Sequence, residues 1–294
     1  MQQQQSLPSD SRPRGGAAFK MQLLKWIGNK QTIAPKIISY FPDRFHTYFE
    51  PFLGSGGVLG VLAPGKGIAS DTFRPLMEIW QTLRSNPNEL VSWYAERFNL
   101  IRTAGKEGAY QQVLASYNSR PNGADLVFLC RACYGGVVRF RQSDGYMSTP
   151  VGVHNPVSPE SFGERVNLWF ERTLGTDFIN ADYTEALKCV RRGDLVYCDP
   201  PYVDSQTILY GAQTFSLVQL FSELAACRAK GAFVALSIDG TKYSGRRVCD
   251  VPVPAGLFER EVFIRLGRSM LKRFQMDGQS LDEHEVSDRL LLSY

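Results

Sequence analysis

The stretch DLVYCDPPY at residues 194–202 determines how the fold of this chain is interpreted. Its apolar run, 195–198, follows a glycine and an acid and predicts a buried parallel strand. Two prolines follow at once, and because proline has no N–H to donate to a ladder, the chain must leave the sheet there. In open α/β sheets, ligands bind at this carboxyl edge of the strands. We therefore expect Asp199 and Tyr202 to lie at a ligand site.

The residues behind this strand suit a planar heterocycle that carries an exocyclic amine. Tyr202 offers a ring for stacking, and the Asp199 carboxylate and the Pro200 carbonyl offer two hydrogen-bond acceptors for the amine. Pro201 adds to the stiffness of the backbone. The plainer interpretation is a proline-rich exit from a strand with no chemical role.

Length and composition are those of a globular protein. The 294 residues, of which 44% are hydrophobic and 21% charged, are enough for one large domain or a core with an insert. No apolar run reaches about 18 residues, so we expect no membrane helix. Six cysteines without a secretory signal indicate a reduced, cytoplasmic protein.

The net charge of +4 is compatible with nucleic-acid binding without proving it. Residues 1–20 are polar and predict a disordered tail.

A glycine-rich turn follows a short predicted strand in the segment FEPFLGSGG at 49–57. Gly54 and Gly56 allow the backbone to approach a ligand closely, and the turn resembles the S-adenosylmethionine loop of methyltransferases. About fifteen residues later, a second predicted strand ends in Asp71, where α/β cofactor sites place a carboxylate for ribose hydroxyls. Asp71 as a helix N-cap is the alternative.

The segment KWIGNK at 25–30 precedes an amphipathic stretch. Gly28 and Asn29 are predicted to begin a helix whose free amides form an anion site, flanked by two lysines and the Trp26 ring. A solvated basic face is the plain alternative. Further along, Asp182 opens a predicted helix, either as its N-cap or as an acceptor for a cofactor adenine amine.

Basic residues follow in two places. Residues 137–149 alternate and turn at an Asp-Gly pair, which predicts a hairpin with Arg139 and Arg141 on one face and Arg131 nearby. Such a ribbon fits a DNA major groove, where arginine pairs with guanine. A surface hairpin kept soluble by arginine is the alternative. Lys272 and Arg273 belong to the densest basic cluster, which predicts phosphate contacts.

Taken in order, these motifs resemble the DNA adenine methylases of the Dam-like class D12. The likeness runs from about residue 21 to residue 294. It implies an α/β fold with a Rossmann-like S-adenosylmethionine-dependent methyltransferase core at 21–86 and 171–294. A mainly helical target-recognition insert that carries the β-hairpin would occupy 87–170. Asn29, Cys130 and Gly135 depart from the family pattern.

The resemblance also implies roles for single residues. Those expected to hold S-adenosylmethionine are Lys25, Trp26, Gly28, Lys30, Phe49, Glu50, Pro51, Gly54, Gly56, Asp71, Asp182 and Tyr183. The catalytic set is Asp199, Pro200, Pro201 and Tyr202. The residues expected to contact DNA are Arg131, Tyr134, Arg139, Arg141, Lys272 and Arg273.

The implied reaction is methyl transfer from S-adenosylmethionine to N6 of an adenine flipped out of double-stranded DNA, at a specific site and without a metal. Double-stranded DNA and a cognate restriction endonuclease are the implied partners, near the nucleoid of a bacterial or phage-infected cell. Alternatives are cytosine N4-methylation, protein-glutamine methylation, a nicotinamide reductase and a non-catalytic DNA-binding protein. Adenine methylation is favoured, because the cytosine enzymes more often carry serine in place of Asp199.

Overall fold

The computed structural model of the protein describes residues 20–141, 143–201, 215–242, 247–248, 252–267 and 286–294. In chain order the α-helices are α1 (Ala34–Ile38), α2 (Gly57–Leu62), α3 (Arg74–Ser85), α4 (Pro87–Ser119), α5 (Gly123–Ala132), α6 (Pro159–Arg172), α7 (Tyr183–Lys188) and α8 (Leu217–Ala229). The strands are β1 (Tyr48–Glu50), β2 (Gly67–Asp71), β3 (Thr176–Asn180), β4 (Leu195–Cys198), β5 (Phe233–Lys242), β6 (Arg247–Val248), β7 (Arg260–Gly267) and β8 (Val286–Leu292).

The strands form one sheet in the order β3-β2-β1-β4-β5-β8-β7, and β6 pairs with β5. Strands β3 to β5 along this order are parallel, whereas β8 runs antiparallel between β5 and β7. The order of the chain reverses between β1 and β4, which makes their carboxyl ends the expected ligand position. The predicted α/β, Rossmann-like core is confirmed.

The central strands are buried on both faces, as a parallel sheet covered by helices requires. Tyr48 and Tyr197 point into one hydrophobic cluster, whereas their strand neighbours Phe49 and Val196 point into a second one. The two-residue period of a strand therefore divides the core into layers above and below the sheet. The run 195–198 forms the predicted strand.

Helices α4, α5 and α6 make the region between β2 and β3 mainly helical. Helix α4 is interrupted at Gly105, whose φ of 69° lies in the left-handed region. Between α5 and α6 the chain forms the predicted hairpin, since Arg141 N–H donates to the Tyr146 carbonyl (2.9 Å) and Ser148 N–H to the Arg139 carbonyl (3.0 Å). The turn includes Gly145 at a φ of 68°.

The expected helix at Gly28 and Asn29 is wrong: helix α1 begins at Ala34. The Asn29 side chain accepts a hydrogen bond from the Gln31 N–H at 2.7 Å, which gives the backbone a local alternative to a helix. The helix start to which the expected anion site was tied therefore lies at Ala34 and not at Gly28 and Asn29. The disordered tail was predicted for residues 1–20, of which 1–19 lie outside the described residues.

Candidate active site

A cavity of about 270 Å³ opens at the carboxyl ends of β1, β2 and β4, where the order of the chain reverses. It is lined by the segment before α1, the turn between β1 and α2, the ends of β2 and β4, and the start of α7. The predicted site residues in its wall are Trp26, Gly28, Lys30, Glu50, Pro51, Gly54, Asp71, Asp182, Tyr183, Asp199 and Pro201.

The turn between β1 and α2 is fixed by contacts to neighbouring elements. Gly54 has a φ of 49°, and its N–H donates to an Asp71 carboxylate oxygen at 3.1 Å. Its carbonyl accepts from the Trp80 indole N–H at 3.1 Å. Gly56 has a φ of 62°, and a Cβ there would lie 3.0 Å from the Trp80 ring. Glycine is thus required at both positions by the backbone, and at Gly56 by the indole as well.

Four carboxyl side chains face the cavity. Asp182 is the N-cap of α7, since it accepts from the Thr184 N–H at 2.9 Å, so both roles considered for it are compatible with the structure. Asp71 also accepts from the Phe73 N–H at 3.0 Å, and burial raises its pKa above the ordinary value. Glu50 and Asp199 are the other two carboxyl groups of this acidic wall, and those members of the wall that are ionised favour a cationic ligand.

Glu50 ends β1 and is almost completely buried. Its carboxylate accepts from the Tyr48 hydroxyl at 2.7 Å. Burial raises the pKa of Glu50 to about 8; the hydrogen bond from Tyr48 offsets part of the rise, and the nearby Asp199 charge adds to it. Glu50 therefore holds a proton at neutral pH in the ligand-free protein.

Lys30 links the cavity to the last strand of the sheet. Its ammonium lies 3.0 Å from an Asp199 oxygen and 3.3 Å from an Asp288 oxygen. The side chains of the three residues are 8%, 16% and 5% exposed, respectively. Burial alone would lower the pKa of Lys30, but the two carboxylates outweigh it and raise the pKa. The ammonium therefore stays charged beside Asp199.

Aromatic side chains form another part of the wall. The ring of Phe52 stacks on that of Tyr183 with a centroid distance of 5.3 Å, and the Phe215 ring meets Phe52 edge-on at 5.8 Å. Trp26 lines the same cavity from the segment before α1. Such faces suit a planar heterocycle as ligand.

Some predicted cofactor and catalytic residues lie outside the cavity wall. Phe49 is buried in a hydrophobic cluster, and Gly56 packs against Trp80. Lys25 is exposed, and its side chain packs closely against Gly136. A Cβ added at Gly136 would lie only 2.7 Å from the Lys25 Cβ. Pro200 is buried between two lining residues, Asp199 and Pro201.

The residues predicted to contact DNA differ in exposure. Arg139, Arg141 and Tyr134 are exposed on and before the hairpin. Arg131 is buried, and its guanidinium donates to the carbonyls of Gln22 and Leu23 at 3.0 and 2.8 Å. The prediction of a direct DNA contact for Arg131 is therefore corrected, because its guanidinium holds the segment before α1 in place. Three predicted site residues, Tyr202, Lys272 and Arg273, lie outside the described residues.

Sequence reasoning missed several residues of the site. Ile27, Phe52, Leu53, Ser55, Gly57, Val58, Thr72, Phe73, Phe215 and Gln219 line the cavity, and Asp288 contacts Lys30. Most of them are next to a predicted residue, so widening each motif by one or two positions would have included them. Asp288 has no such signal, because it comes from the distant strand β8.

Two structural features are absent from the described part of the chain. None of its helices has the length and apolar character needed to cross a bilayer. It also contains no group of three or more His, Cys, Asp or Glu side chains arranged to hold a metal ion.

Comparison with known proteins adds to this geometry. The chain matches the family described as D12 class N6 adenine-specific DNA methyltransferase over residues 26–232. It is 25% identical over 230 residues to the type II methyltransferase M1.LlaDCHI of Lactococcus lactis subsp. cremoris, covering 72% of this chain and 79% of that protein. It is 28% identical over 187 residues to the retron Ec67 DNA adenine methylase of Escherichia coli, covering 61% and 63%.

A third relative is the DNA N-6-adenine-methyltransferase of Escherichia phage P1, at 23% identity over 206 residues, covering 68% of this chain and 26% of that protein. The chain thus spans less than two thirds of the retron and phage proteins. The sheet topology and the position of the cavity define a Rossmann-like α/β protein with a ligand site at the carboxyl edge of its parallel strands. Because the family match covers more than half of the chain, the class can be made specific. The chain belongs to the D12 class N6 adenine-specific DNA methyltransferase family. The predicted family and enzyme class are confirmed.

Proposed function

We propose that the protein methylates N6 of an adenine flipped out of double-stranded DNA at a specific sequence, with S-adenosylmethionine as the methyl donor. The observation that carries the proposal is the position of Asp199 at the cavity, beside the buried ammonium of Lys30. Family membership supports the base and the polymer, and use of S-adenosylmethionine follows from the methyltransferase class in general.

The carboxyl and aromatic side chains that line the cavity support S-adenosylmethionine as the cofactor. When bound, this cofactor supplies a methyl group on a positively charged sulfur. An acidic wall would offset that charge, and the left-handed turn at Gly54 brings backbone to the cavity without side-chain bulk. The residues assigned to cofactor binding are Trp26, Gly28, Lys30, Glu50, Pro51, Gly54, Asp71, Asp182 and Tyr183.

Asp199 and Pro200 would orient the target amine. The lone pair of the adenine amine is delocalised into the ring, so the amine is a weak nucleophile. Hydrogen bonds from its two N–H groups to the Asp199 carboxylate and the Pro200 carbonyl localise that lone pair and direct it at the methyl carbon. N6 would gain the methyl group as the methyl–sulfur bond of the donor breaks and leaves S-adenosylhomocysteine, and the Asp199 carboxylate is the proposed acceptor of the proton that N6 then loses. Tyr202 is proposed to stack on the flipped base, which offsets part of the unstacking cost of a few kcal/mol.

The helical region 87–170 is proposed as the target-recognition module. Arg139 and Arg141 stand exposed on its hairpin, where a guanidinium can reach a base edge or a phosphate. Tyr134 lies just before the hairpin and is 40% exposed. Lys272 and Arg273 are proposed to contact phosphates.

A restriction endonuclease with the same target is proposed as a partner, because one relative is named as a type II methyltransferase. A phage or solitary modification enzyme would carry the same site, and the phage P1 relative supports that setting. In each setting we propose that the protein works on the nucleoid in the cytoplasm of a bacterial or phage-infected cell.

The test is to incubate the protein with unmethylated genomic DNA and S-adenosylmethionine, and to map modified bases by single-molecule sequencing. We expect N6-methyladenine at one short motif. The Asp199→Ala variant should be slower by roughly ten- to a hundred-fold, since one charge-assisted hydrogen bond of ~1.5–3 kcal/mol is lost. Lys30 keeps Asp288 as a partner in this variant, so we expect it to fold.

The matched control is Asp177→Ala, which removes an exposed aspartate of β3 that is not in the cavity wall and should leave the rate unchanged. N4-methylcytosine in place of N6-methyladenine would overturn the base assignment. Binding of DNA and cofactor without any modified base would overturn catalysis itself.

A further inference from the structure

Asp288 lies beyond the part of the chain that matches the family, yet it reaches the site. Strand β8 pairs antiparallel with β5, and Asp288 stands opposite Asp239 near the carboxyl end of β5. Because β5 runs parallel to β4, that end of β5 adjoins the edge at which Asp199 leaves β4. The antiparallel strand therefore delivers a carboxylate to the edge where the parallel strands end.

At this edge the two carboxylates share one ammonium. Lys30 Nζ lies 3.0 Å from Asp199 and 3.3 Å from Asp288, and all three side chains are largely buried. With both aspartates ionised, the three side chains together carry one negative charge. If Asp288 were neutral, Asp199 and Lys30 would form a pair with no net charge. The carboxylate that faces the target amine would then lie in a less negative environment.

The negative charge of Asp288 matters because positive charge moves during the proposed reaction. In the proposed transfer, breaking the carbon–sulfur bond and forming the nitrogen–carbon bond would move positive charge from the donor to N6 beside Asp199. A fixed net negative charge near N6 stabilises that transition state more than the ground state. Asp288 would act on this step through Lys30, because it contacts the ammonium and is not among the residues that line the cavity.

We infer that Asp288 is a positioning residue for methyl transfer, whose charge keeps Lys30 from neutralising Asp199. The inference rests on the proposed function, because it concerns the rate of the same transfer. It assigns a catalytic contribution to the last strand of the sheet. A purely structural ion pair that fastens β8 to the segment before α1 is the competing explanation.

The test compares Asp288→Glu with Asp288→Gln, two side chains of equal size that differ in charge. Enzyme in excess over unmethylated genomic DNA, saturated with methyl-labelled S-adenosylmethionine, gives the single-turnover rate of N6-methyladenine formation. We expect the glutamine variant to be about tenfold slower than the glutamate variant, as the loss of one preorganised charge predicts. The KM for DNA and the Kd for S-adenosylmethionine should change less than about twofold, because the binding contacts remain.

The matched control is Glu261→Gln. The exposed Glu261 forms an ion pair with the mostly buried Arg289 of β8, the neighbour of Asp288, so its loss loosens the same strand and leaves the Lys30 ion pairs in place. This variant should retain the full transfer rate and the same ratio of kcat to KM.

Equal rates for the two Asp288 variants would overturn the inference. So would a rate loss in Glu261→Gln as large as in Asp288→Gln, since that outcome assigns the effect to the strand. If Asp288→Gln fails to fold while Asp288→Glu folds, the charge serves stability and the inference is also rejected. A wild-type protein that methylates no adenine would instead contradict the proposed function, whichever way the two variants compare.

Discussion

The acidic cavity and the arginine hairpin are built in opposite ways. At the cavity, Lys30, Asp199 and Asp288 are largely buried, and the Lys30 ammonium lies within ion-pair distance of both carboxylates. On the hairpin, Arg141 pairs with Asp144 at 2.8 Å, but both side chains are about half exposed. The same guanidinium lies 4.2 Å from the centre of the Tyr146 ring. One region fixes its charges before a ligand arrives, whereas the other keeps its charges in water.

This contrast separates two requirements of a DNA-modifying enzyme. Charges that act on a transition state are most effective when they are fixed and screened little by water. Charges that attract a polyanion must remain accessible to it, and their effect falls as salt rises. Substitutions in the cavity should therefore change stability and the rate of transfer. Those on the hairpin should change DNA affinity and its salt dependence.

The largest effect is expected from Lys30→Met, which removes the buried ammonium and leaves Asp199 and Asp288 facing each other. Removing one partner of a buried ion pair lowers the free energy of unfolding by about 3–5 kcal/mol, because the remaining charges have lost their counter-ion. Urea unfolding at pH 7 would measure the loss in the free energy of unfolding. The exposed pair supplies the control: Asp144→Asn should cost no more than about 1 kcal/mol. Equal losses for the two variants would remove the distinction between the regions.

The convergence of the cavity carboxylates was predictable from sequence. Asp71 and Asp199 each end a predicted strand, and Asp182 follows another, β3, by two residues. Because the carboxyl ends of parallel strands share one edge of a sheet, three separate motifs had to meet there. The turn at Gly54 was predictable for a similar reason, since a left-handed backbone position restricts the choice of residue.

The rest depends on contacts that no local pattern encodes. Asp288 reaches Lys30 because β8 inserts between β5 and β7, a pairing between segments far apart in the chain. Arg131 has the composition of a DNA contact but is buried against main-chain carbonyls near residue 22. Helix α1 begins at Ala34 and not directly after the predicted entry residues Gly28 and Asn29, where the Asn29 side chain accepts the Gln31 N–H. Tertiary packing and side-chain competition decided these three cases.

A second prediction concerns the proton on Glu50. The pKa of this carboxyl rises from its ordinary value of 4.5 to about 8 on folding. Between these values the folded protein keeps a proton that the unfolded chain has released, so rising pH favours unfolding. The contribution of the neutral Glu50 to stability is complete below pH 4.5 and is lost as pH passes 8. Its slope reaches about 1.4 kcal/mol per pH unit.

Urea unfolding of the ligand-free protein at pH 5, 6, 7 and 8 would measure this slope. Glu50→Gln keeps the size of the side chain but cannot ionise, so the variant should lose that part of the pH dependence. Asp71 also has a raised pKa and remains in both proteins, so some slope persists in the variant. The exposed Glu261→Gln should leave the profile unchanged. A Glu50→Gln profile parallel to the wild type would show that Glu50 is already ionised at pH 5.

The smallest effect is expected on the hairpin, from Arg139→Ala. Arg139 is exposed, so its loss should not change the free energy of unfolding, and DNA affinity should fall by about tenfold. If its guanidinium contacts a phosphate, the slope of log affinity against log salt should decrease by about one, equally for all DNA sequences. Arg141→Ala should act in the same direction but more weakly, since that guanidinium is already paired with Asp144.

The control is Arg191→Ala, an exposed arginine before β4, at the opposite edge of the sheet from the cavity. Binding titrations at about 50 to about 200 mM salt would measure the affinity for DNA. Single-turnover assays at saturating DNA would measure the rate of methyl transfer. An Arg139→Ala variant that binds DNA normally but transfers methyl groups slowly would place this hairpin with the catalytic cavity instead of the DNA-binding surface.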